Sequence, residues 1–374
     1  MKHLLHFQAD RIELVLASHR VPAQVTGGTV TPRFVRYRLA TPLGVRIRQV
    51  AGLAEEIALS LGAPSCRIYR EEGALQIEVP RTNGQLVGLL DLCQRLAGNG
   101  SSARSVVPPA TAVLGLDHEG IPLLLRLPSP DVAHVLIAGT TGSGKTALAR
   151  TIACSLALFN SQRALQLVLI DPKGRGFLPF AGLPHLLVPL VVRMDEAAGI
   201  LGRLVAEMER RDQEQRSEPR LVVILDELAD LVQVGGVEME RLLTRLTQRG
   251  REAGIHLVAC TQKPAAAVIG SLIKSNFPVR VVGSVASPED AKVASGLPRT
   301  GAERLLGRGD FLVIAKGRVT RIQAAYVTDD EVKQVVARAG RSLRPWLLSA
   351  TGTDGMPERQ HGLVAHLKHL SRIK

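Results

Sequence analysis

The sequence predicts an α/β fold: a parallel sheet covered on both faces, preceded by a smaller α/β unit. Three observations carry this. From about residue 111 onward, short continuous apolar runs alternate with segments of helical spacing, the pattern of strands buried on both faces. Residues 1–97 instead mix alternating and helical runs, and a Gly/Ser-rich stretch at 98–105 followed by Pro108-Pro109 reads as a linker. Finally, 374 residues with 45% hydrophobic content can bury cores for two or three domains and exclude a wholly disordered chain.

In the first unit, 30–39 alternates, with Phe34, Tyr37 and Leu39 set among Arg33, Arg36 and Arg38. Residues 53–61 have helical spacing (Leu53, Ile57, Leu61), ended by Gly62-Ala63-Pro64. Residues 75–79 form an alternating strand stopped by Pro80. In the second unit, apolar strands are expected at 135–138, 167–170, 221–225, 256–260 and 279–282. Helices are expected between them at 147–159, 197–211 and 237–252. The chain thus divides into a small α/β unit (1–108), a larger α/β domain (109–337) and a basic tail (338–374) with one short helix. No internal repeat is present.

The formal net charge is +13, from 47 Lys+Arg against 34 Asp+Glu. That excess favours a polyanionic partner. Its distribution is uneven: residues 1–108 carry +5, 109–337 only +3, and 338–374 another +5. Aromatic residues make up 3%, which argues against a single-strand binder built on base-stacking platforms. No run of about 18 uncharged apolar residues occurs, so no transmembrane span is expected. The start of the chain is a poor signal peptide. Cys66, Cys93, Cys154 and Cys260 form no C-x-x-C pair and read as reduced core residues of a cytoplasmic protein.

The strongest motif is Gly139-Thr140-Thr141-Gly142-Ser143-Gly144-Lys145-Thr146, which fits G-x-x-x-x-G-K-[ST] between a buried strand and a helix. Its glycines let backbone N–H groups turn inward around phosphate oxygens, and the helix N-terminus adds partial positive charge. Lys145 is expected to reach the β- and γ-phosphates of a nucleotide such as ATP, and the Thr146 hydroxyl to ligate Mg²⁺. Asp226 and Glu227 follow the apolar run 221–225. A carboxylate there suits the Mg²⁺ shell (Asp226), and its neighbour suits a base for the attacking water (Glu227). Thr261-Gln262 stands at the end of the next strand, where Gln262 could sense the γ-phosphate. Arg249, Arg251 and Arg280 are arginine-finger candidates, although any one of them taken alone reads better as a surface ion pair.

Several runs in order resemble the FtsK/SpoIIIE DNA translocases. They begin with His134-Val135-Leu136-Ile137-Ala138 and the motif above, then Ile170-Asp171-Pro172-Lys173, Gly182-Leu183-Pro184-His185-Leu186 and Met208-Glu209-Arg210-Arg211. They continue with Leu225-Asp226-Glu227-Leu228-Ala229-Asp230-Leu231, Arg251-Glu252-Ala253-Gly254-Ile255-His256-Leu257 and Thr261-Gln262-Lys263-Pro264. Last come Leu272-Ile273-Lys274-Ser275-Asn276-Phe277-Pro278-Val279-Arg280 and Leu305-Leu306-Gly307-Arg308-Gly309-Asp310. The small unit is similar to the domain that precedes the motor in that family; residues 1–25 match no part of it.

The resemblance implies a RecA-like P-loop NTPase motor that assembles as a homo-hexameric ring on double-stranded DNA, with ATP between subunits. It implies Arg251 as the finger, with Arg280 second. It places channel loops near 263–275 and 286–292, making Lys263, Lys274 and Lys292 the DNA contacts, which would track phosphates without reading bases. Ser287-Pro288-Glu289-Asp290 departs from the family, which often has a basic residue in that second loop. The expectation is an ATP-driven motor without membrane anchor or winged-helix reader; a nuclease, recombinase or relaxase is a candidate partner that the sequence does not identify. Rival readings are a HerA-like helicase, a conjugative DNA-transfer ATPase, a DNA-binding ATPase switch that does not move, and a small-molecule kinase.

Overall fold

The computed structural model describes residues 2–31, 34–71, 73–81, 86–97, 107–262 and 276–339. These divide into two compact units, one formed by the described residues up to 87 together with 118–121 and one by the described residues of 88–117 and from 122 onward.

The first unit contains α1 (Lys2–Ser18), β1 (Gln24–Val30), β2 (Phe34–Ala40), α2 (Ile47–Gly52), α3 (Ala54–Ser60), β3 (Arg67–Glu71) and β4 (Ala74–Pro80). Its four-stranded antiparallel sheet has the order β1-β2-β4-β3. Alternation in β2 and β4 sends Val35, Tyr37, Leu39, Leu75, Ile77 and Val79 to one face. Ile12 and Leu16 of α1, Val50 of α2 and Ile57 of α3 complete that core. The opposite face carries Arg36 and Glu78, 3.6 Å apart, and the Tyr69 hydroxyl donates to Glu78 Oε1 at 2.7 Å.

A short strand, β5 (Val87–Gly88), and α4 (Leu89–Ala97) follow. Leu89, Leu92, Cys93 and Leu96 are buried, the i, i+3, i+4, i+7 stripe of an amphipathic helix. This helix groups with the second unit, so the compact division falls at 87/88, ahead of the Gly/Ser-rich stretch that suggested 108.

The second unit continues with β6 (Thr111–Asp117), β7 (Pro122–Arg126), β8 (Val135–Ala138), α5 (Lys145–Phe159), β9 (Leu165–Ile170), α6 (Met194–Glu214) and β10 (Arg220–Leu225). Next come α7 (Leu228–Arg249), β11 (Ile255–Thr261), β12 (Val279–Val282), α8 (Pro288–Ser295), β13 (Asp310–Ala315), β14 (Arg318–Tyr326) and α9 (Asp329–Ala339). The sheet order is β7-β6-β14-β13-β12-β8-β11-β10-β9. The five expected strands, β12-β8-β11-β10-β9, are parallel. The sheet is nevertheless mixed, because β13, β14, β6 and β7 extend it antiparallel from β12. One face of the parallel part packs Leu136, Val168, Val223, Leu225, Leu257 and Ala259 against α6 and α7. The helix α5 is buried along nearly its whole length.

The register positions the site. Ala138 pairs with Thr261 and Val282, and Leu225 pairs with Ala259 and Ile170. The C-terminal ends of all five parallel strands therefore open on one edge. The segments 139–146, 171–176, 226–227, 261–262 and 283–284 leave from that edge.

At the other edge, two buried histidines extend the β8/β11 ladder. His134 Nδ1 accepts from the Leu257 N–H at 3.0 Å, and His256 Nδ1 donates to the Ala133 carbonyl at 3.0 Å. The two rings thus carry opposite tautomers. Burial pushes their pKa values down from 6.5, to about 3 for His134 and about 4 for His256. Below pH 6.5 the unfolded chain takes up protons that the folded chain refuses. Stability is therefore complete above that pH and is lost as pH falls toward 4, by at most about 1.4 kcal/mol per pH unit for each histidine. Urea unfolding from pH 7.5 to 5 should show this slope; a flat profile would contradict it.

Candidate functional site

The 139–146 loop wraps the N-terminus of α5. Gly144 is the N-cap of that helix, at φ 103°, and a Cβ there would lie 2.9 Å from the Gly309 nitrogen. Only glycine fits both the backbone and the approach. The Thr140 N–H and hydroxyl donate to the Ser284 carbonyl at 2.8 and 3.0 Å, and the Ser143 hydroxyl donates to the Thr140 carbonyl at 2.8 Å. From the other side, the Arg308 and Gly309 N–H groups donate to the carbonyls of Gly142 and Ser143 at 3.1 and 2.9 Å. The 306–310 turn is fixed in turn by Asp310. This fully buried carboxylate accepts from Leu306 N–H at 2.9 Å and from Arg321 Nε and Nη2 at 2.8 and 2.7 Å.

Lys145 is buried and its ammonium donates to the Thr140 carbonyl at 2.9 Å. Burial pushes its pKa below the ordinary lysine value, against the opposing pull of Cys260, Glu227 and Asp226. A desolvated ammonium inside the loop is a strong point charge for phosphate.

Next to it, the Thr146 hydroxyl lies 3.0 and 3.1 Å from the two Asp226 oxygens. Burial raises the Asp226 pKa, and the bond from Thr146 partly offsets this. Gly176 closes this corner: a Cβ there would lie 2.6 Å from Thr146 Cγ2, 3.3 Å from Asp226 Oδ2 and 3.4 Å from Asp171 Oδ2. Among the described residues no cluster of three or more His, Cys, Asp or Glu could hold a metal unaided. The donor set fits Mg²⁺ instead: one hydroxyl and one carboxylate, all oxygen, beside a phosphate cradle.

Glu227 is the N-cap of α7 at φ 81°, a left-handed conformation unusual outside glycine, and is 5% exposed. Its side chain forms no cap bond with its own helix. Oε1 accepts from the Gln262 N–H at 3.0 Å and faces the Thr261 hydroxyl at 3.4 Å. Gln262 Oε1 accepts from the Thr141 hydroxyl at 3.0 Å. The phosphate loop, Gln262 and Glu227 are thus joined in one hydrogen-bonded chain.

The structure therefore brings together Gly139, Thr140, Thr141, Gly142, Ser143, Gly144, Lys145, Thr146, Asp226, Glu227 and Gln262. Arg251 lies elsewhere. It precedes β11, whose seven residues span about 20 Å, so it sits at the edge opposite its own phosphate loop. There it pairs with Glu252 at 3.1 Å. Arg249 pairs with Asp212 at 2.7 Å. Arg280 sits in β12 opposite Leu136 with its guanidinium against Gly296, the C-cap of α8, and burial pushes its pKa down. Lys292 is exposed on α8. Lys263 and Lys274 lie outside the described residues.

Sequence reasoning assigned no role to Asp171, Lys173 or Asp310. Asp171 ends an apolar strand as Asp226 does, and that shared position was the available signal. Asp171 is fully buried and shapes its turn, accepting from Lys173 N–H at 3.1 Å and Gly176 N–H at 2.7 Å.

Comparison with known proteins points to one family. The family model for the FtsK/SpoIIIE family matches residues 98–217 and 212–266, and the model for the FtsK alpha domain matches residues 2–81, including the unassigned start of the chain. The DNA translocase FtsK of Sporosarcina ureae is 35% identical over 364 residues, covering 89% of this chain and 46% of that protein. Its counterpart in Halalkalibacterium halodurans is 34% identical over 366 residues, covering 90% of this chain and 45% of that protein. The chain thus spans about half the length of these curated relatives.

Among solved structures, the pCW3 conjugation coupling protein TcpA, a monomer form with ATPgS, superposes with a TM-score of 0.59 at 20% identity, covering 88% of this chain and 99% of that one. The cytoplasmic domain of the Thermomonospora curvata type VII secretion ATPase EccC gives 0.57 at 23% identity, covering 68% and 34%. These two show the fold. With two family models in register and relatives matched along most of its length, the chain belongs to the FtsK/SpoIIIE family.

Proposed function

We propose that this chain is an ATP-hydrolysing motor that moves along double-stranded DNA as a hexameric ring, with nucleotide bound between subunits. The observation that carries the reading is the convergence of the phosphate loop, Asp226, Glu227 and Gln262 on one edge of the parallel sheet.

The loop N–H groups and the α5 N-terminus hold the phosphates, and Lys145 spans the β- and γ-groups. Thr146 and Asp226 would hold Mg²⁺, which when bound would neutralise charge on the phosphate oxygens. Glu227 takes a proton from water as the water oxygen bonds to the γ-phosphorus and the bond to the β-phosphate oxygen breaks, releasing ADP and phosphate. Gln262, bonded to Thr141 and through its N–H to Glu227, registers loss of the γ-phosphate. Arg251 of a neighbouring subunit completes the charge neutralisation, which suits its place far from its own loop. Arg280, packed beneath α8, is the weaker candidate for that role.

In this reading 109–337 hold the motor, 1–108 the domain that precedes it, except that α4 within that stretch groups with the motor, and 338–374 are a basic tail. Lys263, Lys274 and the exposed Lys292 supply phosphate contacts. The name of these relatives, DNA translocase, supports the substrate.

Triplex displacement tests movement. The chain with ATP and Mg²⁺ should strip a third strand from duplex DNA, and the rate should fall as the approach to the triplex lengthens. ATP hydrolysis stimulated by duplex without displacement would indicate a DNA-binding switch instead. No helix among the described residues is long and apolar enough to cross a membrane.

A further inference from the structure

We propose that Lys173 is a positioning residue for Glu227, fixing the plane of its carboxylate before nucleotide arrives. The proposal rests on the reading of Glu227 as the base.

The Glu227 carboxylate is buried at the start of α7, yet turned away from the N–H groups of its own helix. Such an arrangement costs backbone strain and a lost cap, so other partners must hold it. One oxygen, Oε1, is held from β11 by the Gln262 N–H. The other, Oε2, receives the Lys173 ammonium at 3.4 Å. A carboxylate held at one oxygen can pivot about that bond. Held at both, from two separate elements, it cannot.

Lys173 is itself placed by the fold. It sits in the turn after β9, where Asp171 accepts both the Lys173 and Gly176 N–H groups. The same turn packs Gly176 onto Thr146 and Asp226. The lysine that holds the base is thus built on the wall of the proposed Mg²⁺ corner. Other ionisable groups around Glu227 are Asp226 beside it, Lys145 on α5 and Cys260 on β11. Asp230, one turn along α7, is 3.9 Å from the Lys173 ammonium and shares it weakly. Lys173 is half-exposed, so its removal opens no cavity in the core.

The test compares wild type, Lys173→Met, Lys173→Arg, Glu227→Gln and the Lys173→Met/Glu227→Gln double variant. Full-length protein is used, measuring steady-state ATP hydrolysis and binding of a fluorescent non-hydrolysable ATP analogue. Lys173→Met should lower kcat by about 10- to 100-fold, part of the full value of a general base. KM and analogue affinity should stay within about twofold. Lys173→Arg should recover most of kcat. The methionine should cost nothing further in the Glu227→Gln background, because the group it positions is gone. Wild-type kcat in Lys173→Met would overturn the proposal. Matching losses of kcat and analogue affinity without arginine rescue would also overturn it, and assign Lys173 to phosphate binding. If Glu227→Gln itself retained wild-type kcat, the base reading would fall and the proposal with it. Loss in Glu227→Gln with none in Lys173→Met would leave the base reading standing and overturn only the positioning role.

Discussion

Glu227→Gln is expected to slow ATP hydrolysis by about 10²- to 10⁴-fold while nucleotide binding persists. Glutamine matches glutamate in size, and its carbonyl oxygen can still accept the Gln262 N–H that now reaches Oε1 at 3.0 Å. The hydrogen-bonded chain to Thr141 therefore survives. What disappears is the proton acceptor. Stability should not suffer, since one of several carboxylates in a buried cluster becomes neutral. Asp226, whose pKa burial already raises, is relieved of a neighbouring negative charge. Phosphate release, analogue binding and thermal unfolding measured together check the claim. Hydrolysis within about tenfold of wild type would remove Glu227 from the chemistry.

Arg251→Ala should cost a comparable or greater factor, about 10³ to 10⁵, if an arginine from the neighbouring subunit meets the γ-phosphate. The distinctive prediction concerns mixtures. Arg251 stands about 20 Å of strand away from its own phosphate loop, farther than its side chain can reach. Subunits carrying only Arg251→Ala lack fingers, and subunits carrying only Glu227→Gln lack bases. If the chain assembles as proposed, mixed oligomers would contain interfaces where an intact Arg251 faces an intact Glu227, so part of the hydrolysis should return. The present ion pair to Glu252 is a surface contact and should exchange easily. Two inactive variants that stay inactive on mixing would contradict action across an interface. Normal hydrolysis by Arg251→Ala alone would dismiss the residue.

Some of this architecture was legible in the sequence, for physical reasons. Strands β8 to β12 are buried on both faces, so each leaves a continuous apolar run with a helical segment or turn signal beside it. The antiparallel extension was harder. The first half of β14 is partly exposed and carries Arg318, Thr320 and Arg321, which reads as a polar connection. Helix α1 hides its amphipathicity: Ile12 and Leu16 are buried, but Leu4, Phe7 and Leu14 are exposed. Apolar residues on both sides leave no clean stripe.

The site divides in the same way. The phosphate loop is a local motif, and Asp226, Glu227 and Gln262 announce themselves as polar residues at the tips of apolar strands. Lys173 and Asp310 carry no such local mark. Lys173 meets Glu227 across 54 residues of chain, and Asp310 acts through a turn whose N–H groups reach Gly142 and Ser143. Only the register of the sheet creates those contacts. Charge was a weaker guide: the excess of basic residues lies mostly outside 109–337, so ordered motifs identify this segment where its net charge does not.

The most direct test of the central claim is the rate of ATP hydrolysis by the full chain with and without duplex DNA, at fixed salt and saturating ATP and Mg²⁺. A DNA motor should hydrolyse ATP several-fold faster on the duplex, with Glu227→Gln abolishing both rates. A wild-type rate that duplex DNA leaves unchanged would contradict the account.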